Sequence, residues 1–98
     1  MNDAEIRDRI LAILYGVWKN KGFEAYVPLT SLVKTLNIPS VAVERNVELL
    51  VKIGLVEKWG VIGGSFYRLS AQGVLECEQK GLEPDFTLSK GVSSVALG

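Results

Sequence analysis

The sequence predicts one α+β domain, mainly helical. Three observations carry this. Apolar residues recur at helical spacing in four stretches, three of them bounded by a capping residue and a glycine. Two runs of β-forming residues, 55–59 and 65–69, flank a glycine-rich turn, GVIGG. The chain has 98 residues, 48% of them hydrophobic, which suffices for one modest core.

Residues 3–19 form the first predicted helix. Asn2 or Asp3 caps it, and Glu5 follows Asn2 by three residues, as in a capping box. Ile6, Ile10, Ile13, Leu14 and Val17 make its core face. Leu11, Tyr15 and Trp18 form a second apolar column beside it. That column either widens the buried arc of one domain or forms a dimer interface with a second copy. Asn20-Lys21-Gly22 ends the helix. Ala25-Tyr26-Val27 is a short strand stopped by Pro28, and LTSLVKTL, 29–36, is a second helix with Leu29, Leu32, Val33 and Leu36 inward.

After the turn Asn37-Ile38-Pro39, Ser40 caps a third helix from Val41 to Ile53, closed by Gly54. Val43, Val47 and Leu50 share its inner face, with Asn46, Val51 and Ile53 at the borders. Val41, Arg45, Glu48 and Lys52 share the outer face, with Glu44 and Leu49 at its margins. The hairpin 55–69 follows, and one face of it must be core, so Trp59, Phe66 and Tyr67 read as packing residues. Ser70 caps a last helix, AQGVLECEQK, ended by Gly81, with Val74, Leu75 and Cys77 as its apolar residues. The domain thus spans 1–81. Residues 82–98 lack helical periodicity and read as a C-terminal tail, mobile or docked on a partner.

Composition narrows the function. There is one cysteine and no histidine, so no intramolecular disulfide, no Cys/His metal site and no histidine acid–base pair is available. Cys77 lacks a histidine partner and reads as a small buried hydrophobe. No paired catalytic carboxylates, phosphate loop or nucleophile–base arrangement stands out, so the reading is not an enzyme and no cofactor is expected. No apolar run reaches the length of a membrane span. Residues 1–9, MNDAEIRDR, mix acids and bases unlike a signal peptide, so a soluble cytoplasmic protein is expected. Formal net charge is zero, but its distribution is uneven. Residues 28–70 hold Lys34, Arg45, Lys52, Lys58 and Arg68 against Glu44, Glu48 and Glu57, while residues 71–98 are acidic on balance. Nucleic-acid modules are usually more basic than this.

The order helix, strand, helix, turn, helix, hairpin, helix resembles the winged helix-turn-helix family of transcription regulators, in the style of the MarR and PadR groups. The matching residues run from Tyr26 to Gly81. VPLTSLVKTLNIPS is similar to the first helix of the motif and its turn. VERNVELLVKIGLVEK is similar to the recognition helix with its Leu-x-x-x-Gly-Leu-Val ending, and RLSAQG to the strand end and cap of the next helix.

The resemblance implies a three-helix bundle with a two- or three-stranded β-wing and an extra C-terminal helix. It also implies double-stranded DNA as partner, a third helix in the major groove, a wing on the backbone, and a homodimer. Carried onto this chain, the DNA-contact candidates are Thr30, Ser31, Lys34, Ser40, Val41, Arg45, Lys52, Lys58 and Arg68. Arg45 is foremost, at a position that often carries a groove-facing base. The competing expectation for Arg45 is a weak pair with Glu48, itself spaced to pair with Lys52. Apolar Val61, Ile62 and Leu49 point the other way, toward a protein partner. The alternative function is therefore a protein-interaction module with little DNA affinity.

Overall fold

The computed structural model describes residues 1–89. The elements are α1 (Asp3–Lys21), a 3-10 turn (Gly22–Glu24), β1 (Val27–Pro28), α2 (Leu29–Leu36), α3 (Ser40–Lys52), β2 (Val56–Val61), β3 (Gly64–Leu69) and α4 (Ala71–Lys80). The fold is α+β: four helices and a small antiparallel sheet in the order β1-β3-β2. No helix among the described residues is long and apolar enough to cross a membrane.

Local chemistry starts and stops these elements. Asn2 Oδ1 accepts from the Glu5 amide at 2.8 Å while Glu5 Oε1 accepts from the Asn2 amide at 3.0 Å, closing the capping box of α1. Ser70 caps α4 through the Gly73 amide, and Gly81 ends it in the left-handed conformation. The expectation for Ser40 needs correction. Pro39 is the N-cap of α3 and Ser40 is its first helical residue, with no side-chain cap bond. The proline ring already supplies the extended entry, and its carbonyl accepts from Ala42 at 3.0 Å. Between α2 and α3, Asn37 sits left-handed at φ 54° and ψ 46°, which makes the tight turn that sets α3 against α2.

The core lies where α1 crosses α3, the sheet and α4. Ile6, Ile10, Ile13, Leu14 and Val17 of α1 meet Leu32, Val43, Val47, Leu50, Val56, Tyr67, Leu69, Val74 and Cys77. Burial pushes the Cys77 thiol up to about 11, so it is an inert core group. The second α1 column is also internal: Leu11 and Tyr15 are buried within the chain, and Trp18 stacks on Tyr15 at 6.0 Å. Leu11 and Tyr15 thus line the domain's own interior and are not a free dimer face, while Trp18 is half-buried beside them. Ile53, expected at a border of the inner face of α3, and Leu75 of α4 face solvent.

Residues 82–89 pack along α1. The Asp85 amide donates to the Ala12 carbonyl at 2.9 Å, Leu82 and Leu88 rest on the core, and Asn20 donates to the Ser89 hydroxyl at 2.9 Å. This docking needs Gly16, where a Cβ would lie 2.0 Å from the Asp85 carbonyl oxygen. The first half of the expected tail thus lies on its own domain; residues 90–98 lie outside the described residues.

Candidate nucleic-acid interface

α3 buries Val43, Val47 and Leu50, which leaves Ser40, Val41, Glu44, Arg45, Leu49 and Lys52 exposed along its other side. Val41 is 65% exposed at the start of that face. The hairpin β2–β3 lies beside α3 and is tied to it: Glu48 accepts from Lys58 Nζ at 3.0 Å and from the Tyr67 hydroxyl at 2.7 Å. Burial of Glu48 opposes its charge. The Tyr67 hydroxyl and Lys58 outweigh that and hold its carboxyl below the ordinary value. Tyr67 is raised in turn, first by burial and then by the Glu48 hydrogen bond.

Arg45 does not pair with Glu48. Its Nε and terminal nitrogen both reach Asp3 Oδ1 of α1, at 3.1 and 2.9 Å. The same oxygen accepts from Asn46 Nδ2 at 2.9 Å, and Asn46 Oδ1 accepts from Arg7 at 2.9 Å. Bonds from Asn46 and Arg45 hold the Asp3 carboxyl below its ordinary range. Asn46 is the centre of this network and only 2% exposed, so it belongs to the interior rather than to a border. Its signal in the sequence is an amide set among the apolar residues Val43, Val47 and Leu50; its partners, about forty positions away, leave no local trace.

Most of the candidates are exposed on α2, α3 or the hairpin. Thr30 is exposed at the start of α2 and lines a shallow depression with Gly63, Gly64 and Phe66 of the hairpin. Ser31 is half-buried and Lys34 exposed on the same helix. Lys58 shares the α3-facing side of the sheet. Arg68 does not. In β3, Tyr67 and Leu69 point into the core, so Arg68 points to the opposite face. There it donates to Glu57 at 2.8 Å and to the Phe23 carbonyl, and its guanidinium lies 4.7 Å from the Tyr26 ring centre. Three partners hold it away from α3, so Arg68 is removed from the candidate surface.

The hairpin aromatics divide as well. Tyr67 is core, while Trp59 and Phe66 lie with Tyr26 on the outer sheet face at centroid distances of 5.6–5.7 Å. Val61 and Ile62 at the hairpin tip are exposed.

Comparison with known proteins gives no match: no family model, no curated protein and no solved structure aligns with this chain.

Proposed function

We propose that the chain is a winged helix-turn-helix protein that binds double-stranded DNA as a transcription regulator, with α3 in the major groove and the hairpin as wing. The observation that supports this best is the uncovered side of α3, flanked by the hairpin and by the first turn of α2. A single helix fits a major groove, and the flanking elements reach the phosphates on either side. Lys34 and Lys52 are exposed bases there, and the ion pairs of Arg45 and Lys58 are surface pairs that a phosphate can replace at little cost. Val41 supplies an apolar contact of the kind a thymine methyl accepts.

The test is a fluorescence-anisotropy titration of labelled duplex DNA at low and at moderate salt. Binding that weakens with salt is expected, with a slope of log K against log salt no steeper than about −4 for each chain bound, since four bases of each chain face the duplex. A folded chain with no affinity at low salt would remove this reading for generic duplex.

A second reading is a docking module for another protein. The exposed Val41, Leu49, Val61 and Ile62 favour it, as does the pairing of Arg45 and Lys58 with carboxylates of the same chain. It predicts no salt-dependent DNA affinity.

A further inference from the structure

β2 is the open edge of the sheet. The strand order β1-β3-β2 pairs it with β3 on one side and leaves the other side without a strand among the described residues. Its ladder is regular from Val56↔Leu69 to Val61↔Gly64, with neither bulge nor proline. The turn Ile62-Gly63 closes on Val61↔Gly64, so Val61, Trp59 and Glu57 bond inward to β3. By the alternation of an antiparallel ladder, Val56, Lys58 and Gly60 direct their N–H and C=O groups outward.

Edges of this kind are usually guarded by charges, bulges or proline. Here both charges on the strand are neutralised within the domain: Glu57 by Arg68 at 2.8 Å and Lys58 by Glu48 at 3.0 Å. Trp59, 46% exposed, and Val61 extend an aromatic outer face that already holds Tyr26 and Phe66.

We propose that β2 is a homodimer edge, on which the β2 of a second copy pairs antiparallel about a two-fold axis at Trp59. Two central registers keep the inner and outer faces aligned. One, centred on Lys58, sets the Trp59 ring opposite the Glu57 carboxylate of the second copy and leaves the two tryptophans apart. The other, centred on Trp59, sets the two tryptophans opposite at the close, non-hydrogen-bonded spacing. Lys58 then faces Gly60 of the second copy, which has no side chain to crowd it, and these two residues exchange the outward bonds. Glu57 faces Val61 of the second copy, with its carboxylate held by Arg68. The result is a six-stranded sheet with one continuous aromatic face and an isologous interface. It requires no DNA and stands apart from the reading above.

Sedimentation equilibrium of the full chain over a wide concentration range tests it, with two variants. Gly60→Pro removes an outward N–H, leaves the ladder to β3 intact, and has open space around its Cβ. Trp59→Lys sets like charges on the two-fold. A wild-type dimer is expected, with the dissociation constant raised at least about tenfold in each variant and unchanged far-UV circular dichroism. A wild type that stays monomeric at the highest concentration overturns the proposal. So does a dimer that Trp59→Lys leaves intact.

Discussion

Asn46 and Asp3 join α1 to α3 at the base of the proposed reading helix. Asn46 bonds the Ala42 carbonyl, Asp3 and Arg7, and no local alternative replaces all three. Asn46→Ala is therefore expected to lower stability by about 1–2 kcal/mol, read by urea denaturation, because the bonds made by the buried Asn46 amide are lost. Asp3 contributes to the acid dependence together with Glu48 and Asp85, whose carboxyls are also held below their ordinary values. The Asp3 carboxyl titrates lower in the folded chain than in the unfolded one, so its contribution is complete above the ordinary value of 3.8. That contribution is lost as pH falls through the lower folded value. Asp3→Asn should flatten its part of this acid limb, measured as the denaturation midpoint against pH. The same substitution frees Arg45 from its carboxylate, so on the DNA reading it tightens binding while Arg45→Ala weakens it. None of this network was legible in the sequence, where Arg45 stands three residues from Glu48 and forty-two from Asp3. Spacing along a helix exposes neighbours on that helix, not the side chain that folding brings across from another.

Elements were far more legible than contacts. The ranges of α2 and α4, the capping box at Asn2 and the cap at Ser70 all follow from signals within one turn of chain. The entry to α3 did not, because a proline supplied the geometry expected of a serine side chain. The course of residues 82–89 was also hidden, since they lack periodicity and lie on α1 through backbone contact at Gly16. This reverses the usual sign of a substitution. In a helix interior Gly→Ala gains up to about 1 kcal/mol. At Gly16 the new methyl meets the Asp85 carbonyl, and a loss of about 1–3 kcal/mol is expected instead. Hydrogen exchange would locate the damage, with the Asp85 amide losing protection while the centre of α3 keeps its own. Unchanged protection at Asp85 would mean that this segment does not depend on the missing side chain.

The whole molecule has no net charge, yet its exposed bases are unevenly placed. Lys34, Arg45, Lys52 and Lys58 are exposed on α2, α3 and the hairpin, while Arg68 is turned to the far face of the sheet. Apolar residues share that α3 side, which is why DNA and protein docking are both physically open to it. The proposed function puts α3 and the hairpin against the DNA. The most direct measurement is a titration of the ¹⁵N-labelled chain with a short duplex at low salt, followed amide by amide. The largest shifts are expected in residues 30–34, 40–52 and 58–62, reversed by added salt, with α4 and residues 82–89 unmoved. Shifts centred on α1 or α4, or no shifts at all, would contradict that placement.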